Sequence, residues 1–509
     1  MESYAYAAAA EGYYNLSTTF AIMQPGVALP DIANYHPNHP LGHMITRALH
    51  QWTLVGAFTI FRVTNFIAAL LVLFLFYQCA FFLLRRVFPA IAASTLFIFT
   101  YVVWGSALSG EVQLPALSLQ LAATYFLLLY LARPAESIAP DKIPVADPRH
   151  LWYAGFFFVW AMAFHLSTIL WIIPAAVSTL LHSAKKTQWK LYAKLTAFIS
   201  IGFIFFYVIL VVAMLKIDST ELYWRTAQMY RYIYHENFPF SKWLAITGQT
   251  FLKSIAFNDG IWGNLSKILT AIIVLTGYFT LARSSTPSAI KYFLILCPAI
   301  HLPVLIIARF RPDAMNGWLF VIPPLFVAAG YAFRIMGIYL RNRFIIFAFI
   351  LLPVGTNFYF AFLPQKAIES AYHLRASDFN AVSAKSPIGF YVTDPVLTFA
   401  EIWAAGSLFG QRNQTVFLPC CGERDTASRI QTWINAHNES LILITDERSG
   451  NLETILAAQK RPFTLLRETQ TQLKPEWLPS SIFFTREPGY IINKNIRIFK
   501  IEALPDLKS

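Results

Sequence analysis

The sequence predicts an α-helical protein that crosses a membrane many times and carries a small α/β domain at its C-terminus. Three observations support this fold class: long apolar runs, basic residues that separate them, and strand-like runs beyond residue 364. Of the 509 residues, 56% are hydrophobic and 13% are charged, whereas about 25% of residues are charged in a soluble domain. Most of the chain is therefore expected to lie in lipid.

The apolar runs define the predicted membrane spans, because a span needs about 20 apolar residues. The longer runs are 57–84, 114–131, 191–215, 290–308, 318–333 and 344–363. Shorter candidates are 88–104, 268–282 and a pair within 151–181 that meets near His165. We expect neighbouring helices to support the short spans inside a bundle.

Basic residues between the apolar runs predict which side of the membrane each loop faces. Arg85-Arg86, Lys185-Lys186 and Arg341/Arg343 fall on one side, and cytoplasmic loops retain Lys and Arg. The loops on that side hold 13 basic and 3 acidic residues, whereas the opposite loops hold 8 basic and 9 acidic residues. Topology therefore explains most of the formal charge of +13, and a nucleic-acid partner is not expected.

The same alternation places Met1 and the chain beyond residue 363 on the outer, non-cytoplasmic side of a plasma or inner membrane. Residues 1–53 contain no apolar run of spanning length and no signal-peptide pattern. Either the first long span inserts with its N-terminus outside, or a further helix precedes this sequence. We expect a preceding helix.

The C-terminal part of the chain has a different pattern, which predicts two domains, 1–364 in the membrane and 365–509 as an outward-facing soluble domain. Strand-like runs lie at 389–394, 415–419 and 441–446, with helix-like stretches at 397–408 and 424–436 between them. Such alternation predicts an α/β layer with a mostly parallel sheet. A dinucleotide fingerprint and a phosphate loop are absent from this sequence.

Four groups of polar residues are predicted to face the outer side. The first begins with Glu2 before an alanine-rich stretch, and the second is His36-Pro-Asn-His-Pro-Leu-Gly-His43. The third is Ser109-Gly-Glu111, just before a span, and the fourth is Arg309-Phe-Arg-Pro-Asp313, where a span leaves the membrane. Because they share one side, these groups can contribute to one site.

This ordered series of loop motifs resembles the GT-C superfamily, which comprises integral-membrane glycosyltransferases that use polyprenyl-phosphate sugars. The resemblance covers residues 1–363. In that family the first outer loop follows the first membrane helix and carries a catalytic Asp. Glu2 occupies the matching place, so the resemblance implies that Glu2 is catalytic, although Glu replaces the usual Asp.

The same residue types also suit the chemistry of glycosyl transfer. An inverting transfer needs a carboxylate to take the proton of the acceptor hydroxyl, and Glu2 is the candidate for this base. The lipid phosphate leaves with growing negative charge, which fixed cations stabilise. Arg309 and Arg311 are the main candidates to bind this phosphate. Further substrate-binding candidates are Arg225 and Arg231 in the long loop 216–265, and His39 and Glu111 in the wall of the site.

The predicted site residues also have purely structural interpretations. Glu2 can be a solvated terminal residue, and His39 can cap the next helix or pack under its loop. Glu111 can be a charge favoured by a helix N-terminus, and Arg309 and Arg311 can be anchors at the membrane surface.

Other polar and aromatic residues near the spans are expected to have structural roles. His165 and His301 lie within or beside apolar spans, where an ionisable group is a functional candidate, but we expect both to be packing residues. Trp224 and Trp318 are expected in the aromatic belt at the membrane surface.

A divalent cation is the one candidate cofactor, because some members of the resembled family use one. Glu2 with His36 or His39 could hold such an ion, but hard cations prefer oxygen ligands. No metal site is therefore assigned.

The function expected from the resemblance is transfer of a sugar from a polyprenyl-phosphate donor on the outer face. The acceptor would be a lipid-linked glycan, a glycolipid, a polymer or a protein. One alternative is a transporter, although those have polar or broken helices near the midplane and repeated halves. The other is a non-catalytic anchor for the α/β domain, which would need only one or two spans.

Overall fold

The structure is a computed structural model. It describes residues 40–108, 112–132, 147–182, 189–210, 240–256, 260–307, 318–339, 343–363, 388–392, 415–419, 432, 434–436, 439–446, 457, 462–470 and 495–502. The chain divides into two compact units, His36–Ile45 with Phe61–Phe362, and Leu363–Ser509 with Met1–Tyr35 and Thr46–Ile60. The predicted domain division at 364/365 stays a prediction, because residues 364–387 lie outside the described part.

The described part of residues 40–363 is helical. Its α-helices are α1 Pro40–Thr53, α2 Ala57–Leu84, α3 Val87–Ile98, α4 Tyr101–Leu108, α5 Gln113–Leu131, α6 Pro148–Phe164, α7 Ile172–His182, α8 Trp189–Ile204, α9 Phe240–Ile255, α10 Ile261–Arg283, α11 Ser288–Ile307, α12 Ile322–Tyr339 and α13 Arg343–Asn357. A 3-10 segment, Leu166–Trp171, precedes α7, and π-helical turns extend α8 through Ile209 and α13 through Phe362.

Within the described residues, four helices have both the length and the composition of a membrane span: Ala57–Leu84, Gln113–Leu131, Trp189–Ile209 and Ile261–Arg283. A fifth span results if the bent pair α3 and α4 is counted as one. The other apolar helices are shorter and need neighbours to cross a bilayer. The prediction of a multi-span helical fold is therefore confirmed, and the predicted bounds 57–84 are those of α2.

The predicted span 88–104 is wrong as a single helix, because α3 and α4 meet at an angle of 66°. The break leaves backbone carbonyls without their helical partners. Thr100 Oγ1 donates to the carbonyl of Phe97 at 2.8 Å, and Asn357 Nδ2 donates to that of Phe99 at 2.8 Å. Polar side chains thus stabilise the bend inside the membrane unit.

The helix ends at the side of the membrane unit where α2 ends are called the Leu84 end. There the Tyr130 hydroxyl lies 3.2 Å from that of Tyr192, and Tyr192 donates to the carbonyl of Thr179. At the same end Thr286 Oγ1, in the turn before α11, lies 2.8 Å from the Tyr331 hydroxyl. These residues border the predicted cytoplasmic loops, so the contacts agree with alternating helix directions.

Small residues bring the helices of the membrane unit into close contact. On α10 the buried stripe contains Gly263, Ser266, Thr270 and Gly277. A β-carbon at Gly277 would overlap the carbonyl group of Ala328 in α12. Because lipid gives no hydrophobic drive for helix association, close backbone packing of this kind holds helices together.

In the described part of the C-terminal unit, five strands form a sheet in the order β2-β1-β3-β5-β4. Its strands are β1 Ile388–Val392, β2 Thr415–Pro419, β3 Leu441–Asp446, β4 Phe463–Gln470 and β5 Asn495–Ile501. The first three match the predicted strands. However, β3–β5 and β4–β5 are antiparallel whereas β1–β2 and β1–β3 are parallel, so the prediction of a mostly parallel sheet is wrong. Most of the predicted helical stretches 397–408 and 424–436 lies outside the described residues.

We predict that Gly277→Ala destabilises the membrane unit by about 1–3 kcal/mol, because the added methyl group forces α10 away from α12. The measurement is the thermal unfolding midpoint of the purified protein in detergent. Gly337→Ala is the matched control, since a β-carbon at Gly337 meets nothing within 4 Å. Equal midpoints for the two variants would contradict the close contact.

Candidate functional site

The predicted site residues lie in segments outside the described residues, so their roles stay predictions. The residues concerned are Glu2, His39, Glu111, Arg225, Arg231, Arg309 and Arg311. The structure does describe the helix ends that border these segments. Those ends and their contacts define the candidate site, which we call the Val112 end because Val112 follows Glu111 directly.

Gly42, in the histidine motif, and Val112, which follows the Ser-Gly-Glu motif, are neighbours at the Val112 end. A β-carbon at Gly42, two residues into α1, would overlap the side chain of Val112. Glycine therefore allows α1 to pack directly on the residue that precedes α5. A residue of one motif and a residue that directly follows the other therefore meet at this contact.

His43, the last histidine of the motif, is a packing residue. It is 2% exposed, and its ring meets the ring of Phe61 edge-on with centroids 6.0 Å apart. Burial lowers the pKa of His43 to about 3, because a charged imidazole loses its hydration there. His43 is thus neutral at physiological pH and packs α1 against Phe61 of α2.

His165 joins two helices at the same end. Its extended backbone, with φ −157° and ψ 119°, ends α6, and its Nδ1 accepts a hydrogen bond from the backbone N–H of Ser167. The neighbouring 3-10 segment begins at this cap. The prediction that two short helices meet near His165 is confirmed, and the ring lies 5.2 Å from that of Phe320.

Trp318, the first described residue after the Arg309–Asp313 motif, is buried within the protein. Trp318 is 4% exposed, and its ring meets that of Phe251 in α9 with centroids 5.0 Å apart. The predicted place of Trp318 in the interfacial belt is therefore wrong. The predicted start of a span at residue 318 is also wrong, because α12 begins at Ile322.

Asn357 connects three elements at the Val112 end, and the sequence interpretation missed it. Its Nδ2 donates to the carbonyl of Phe99 and, at 2.7 Å, to that of Ile255 at the end of α9. Beside it, Ser266 Oγ donates to Thr356 Oγ1 at 3.1 Å. An amide in an otherwise apolar run was the available signal, because polar groups in membrane helices need partners.

A small cavity lies between α2, α5, α11 and α12. Its volume is about 20 Å³, room for a single water molecule. The cavity is mostly apolar, with Phe76, Cys79, Trp171 and Cys297 in its wall, but it also borders Gln120. The Oε1 atom of Gln120 is buried and has no hydrogen-bond partner in the described part of the chain.

Among the described residues, no group of three or more His, Cys, Asp or Glu side chains is placed to hold a metal ion. The described groups at the Val112 end are imidazole, amide and aromatic groups. They are buried and hold the helix ends together, whereas the acid and the cations required for sugar transfer are expected from the bordering segments.

Comparison with solved structures identifies proteins of similar fold. The chain is similar to ArnT from Cupriavidus metallidurans bound to undecaprenyl phosphate, with a TM-score of 0.54, 11% identity, and coverage of 97% of this chain and 93% of that chain. The apo state of the same ArnT matches with a TM-score of 0.37. Arabinofuranosyltransferase AftD from Mycobacteria matches with 11% identity and a TM-score of 0.42, over 92% of this chain and 37% of that chain.

The first similarity shows that this chain shares the fold of that ArnT over nearly the whole of both chains, as expected from the resemblance to the GT-C superfamily. The two lower TM-scores add nothing to this conclusion. No family model and no curated protein matches the chain. At 11% identity the likeness concerns the fold alone.

We predict that Gly42→Ala displaces α1 from Val112 and lowers the free energy of unfolding by about 1–2 kcal/mol, since overpacking outweighs the better helix propensity of Ala. Combining it with Val112→Ala makes room for the new methyl group. A double-mutant cycle on the thermal unfolding midpoint should then show the double variant to be more stable than the two single losses add up to. Strict additivity would mean that the two residues are not in contact.

Proposed function

We propose that this chain is an integral-membrane glycosyltransferase that moves a sugar from a polyprenyl-phosphate donor to an acceptor on the outer face. The observation that carries the proposal is the fold, shared over 97% of this chain with an ArnT whose structure holds undecaprenyl phosphate. A fold alone does not determine an activity. The arrangement of the helix ends supplies the second line of support.

The described neighbours of the predicted motifs lie at one end of the membrane unit. The histidine motif borders Val112 through Gly42, and the segment after Arg309–Asp313 packs on His165 through Phe320. These contacts between described residues that flank motifs far apart in sequence support the proposal, because an acid, an acceptor and a lipid phosphate must meet in the site.

In the proposed reaction, Glu2 takes the proton of the acceptor hydroxyl as its oxygen attacks the anomeric carbon of the sugar. The new glycosidic bond forms while the bond from that carbon to the phosphate oxygen breaks. The electron pair stays on the lipid phosphate, whose charge Arg309 and Arg311 stabilise. Arg225 and Arg231 assist from the long loop, and His39 and Glu111 line the site.

The proposal extends to the location and partners of the protein. The donor is drawn from the outer leaflet of the plasma or inner membrane, and the C-terminal unit lies on the same, non-cytoplasmic side. The acceptor is a lipid-linked glycan, a glycolipid, a polymer or a protein, which the C-terminal unit helps to bind. A divalent cation at Glu2 is a further candidate component.

We predict that Glu2→Gln, expressed from the full open reading frame, abolishes the surface-glycan change produced by the wild-type chain. Loss of a general base costs about 100- to 10,000-fold in rate. The measurement is the mass of surface glycans from cells with and without each variant. The control is Glu468→Gln, which removes an acid from a surface ion pair 3.3 Å from Arg497. Unchanged glycans in Glu2→Gln would exclude the proposed base.

We also predict that Arg309→Ala and Arg311→Ala each weaken the binding of undecaprenyl phosphate by about 10- to 100-fold, the usual effect of losing a hydrogen bond to a charged group. Binding is measured by native mass spectrometry of the purified protein. Arg283→Ala is the matched control, because Arg283 lies at the Leu84 end with its guanidinium 3.9 Å from the ring centroid of Phe279. An equal loss in Arg283→Ala would indicate a general effect of charge.

A further inference from the structure

Two basic side chains lie together at the turn between α10 and α11, at the Leu84 end. Arg283 is the last residue of α10, and Lys291 lies in the first turn of α11. Lys291 Nζ donates to the carbonyl oxygen of Ala282 at 2.9 Å and to that of Ser284 at 2.6 Å. Because these two residues flank Arg283 in the chain, the ammonium group of Lys291 lies beside the backbone of Arg283.

The guanidinium group of Arg283 is held on the lipid-facing side of α10. It lies 3.9 Å from the ring centroid of Phe279, a cation–π contact. Phe279 ends a row of apolar side chains, each between 55% and 69% exposed, which we call the α10 row: Ile268, Ile272, Leu275 and Phe279. Their spacing of three or four residues places them on one face of the helix, and Arg283 continues the row four residues beyond Phe279.

The α10 row has the length of one lipid leaflet. From Ile268 to Phe279 the helix rises about 17 Å, whereas half of a hydrocarbon core is about 15 Å thick. Arg283 lies about 6 Å beyond Phe279, where the acyl chains end and the headgroups begin. A lipid beside α10 therefore places an acyl chain along the row and its phosphate near Arg283.

Arg334 of α12 adds a third positive charge near the same turn. The Tyr331 hydroxyl of α12 lies 2.8 Å from Thr286 Oγ1, and Ser284 Oγ donates to that same oxygen at 2.8 Å. Arg334 follows Tyr331 by three residues, so it lies on the same face of α12 one turn further toward the membrane surface. Cations from α10, α11 and α12 thus surround one turn.

No acidic residue of these helices neutralises the three cations. Residues 260–307 and 318–343 contain neither Asp nor Glu. Within the described part of the membrane unit, Asp147 is the only acidic residue, and its carboxylate accepts a hydrogen bond at 2.9 Å from the backbone N–H of Arg149 at the start of α6. Because like charges repel, an anion bound at the turn between α10 and α11 is favoured.

We propose that Arg283 and Lys291 bind the phosphate of an anionic diacyl phospholipid, with an acyl chain along the α10 row. The guanidinium group can donate two parallel hydrogen bonds to a phosphate, and Lys291 keeps one N–H beyond the two that bind carbonyls. Basic sites between helices on the cytoplasmic side bind anionic headgroups, and the cations repel the ammonium group of a zwitterionic lipid. The inference goes beyond the proposed function and does not depend on it, since the donor lipid is expected at the Val112 end.

The test measures the binding of phosphatidylglycerol and of phosphatidylethanolamine with identical acyl chains, by native mass spectrometry of the purified protein. The wild-type protein should prefer phosphatidylglycerol. Arg283→Gln and Lys291→Gln should each lower this preference about fivefold, the effect of one basic residue near an anionic headgroup. The amide of Lys291→Gln can still donate to a carbonyl of the turn, so this variant removes the charge and keeps a hydrogen bond.

Two further variants serve as controls. Lys190→Gln removes an exposed basic side chain from the first turn of α8, which lies at the same end because α8 carries Tyr192. It should leave the preference unchanged. Arg283→Lys retains the positive charge and should retain most of the preference.

Two results would overturn the phospholipid site. One is equal binding of the two lipids by the wild-type protein. The other is an equal fall in preference for Lys190→Gln and Arg283→Gln, which would indicate the diffuse charge of this whole end. If Arg283→Gln does not fold, the wild-type preference and the comparison of Lys291→Gln with Lys190→Gln decide the question.

Discussion

The need to satisfy every backbone polar group in lipid governs the membrane unit. Hydrocarbon offers no hydrogen bonds, so a broken helix is tolerated only where side chains replace the lost ones. Pro298 removes the N–H that would bond the carbonyl of Leu294, and the Tyr278 hydroxyl donates to that carbonyl instead at 3.2 Å. Asn357 performs the same role for the bend between α3 and α4.

These replacements also determine where irregular backbone can occur. The bend at Phe99, the cap at His165 and the turn at Trp318–Val321 all belong to the Val112 end. Each is held by a contact to a distant segment, as in the contact of Trp318 with Phe251. Irregular backbone frees polar groups and directs side chains away from the helix axis. Among these described elements, the turn at Trp318–Val321 lies next in sequence to a segment that is predicted to bind the substrate.

The fold could be predicted from sequence wherever the signal is local. The apolar run 57–84 became one helix with those bounds, and the strands at 415–419 and 441–446 have the predicted bounds. The bend at Phe99 could not be predicted, because the run 88–104 is continuously apolar and its partner Asn357 lies 258 residues away. The alternating residues of β5 were a usable signal that was missed. Its antiparallel pairing with β3 is a long-range contact that no local pattern encodes.

The candidate site was predictable in its approximate place but not in its details. Basic residues sorted the loops, and the motifs bordering Gly42 and Val112 fell on the same side, as their contact requires. The buried acceptor of Gln120 was not identified, because a glutamine in a helix has the same sequence signature with or without a donor. Only the geometry distinguishes the two cases.

Helix α12 begins only at Ile322, and this late start affects how the protein should be handled outside a membrane. Tyr331 already meets the turn at Thr286, and Ile322 lies only about 14 Å further up the helix, roughly half the thickness of a hydrocarbon core of about 30 Å. Trp318–Val321, which are not α-helical, are at most 4% exposed and are shielded by surrounding helices. Small, harsh detergents that separate those helices would wet this backbone first, so lateral pressure from lipid or a nanodisc should preserve the protein best.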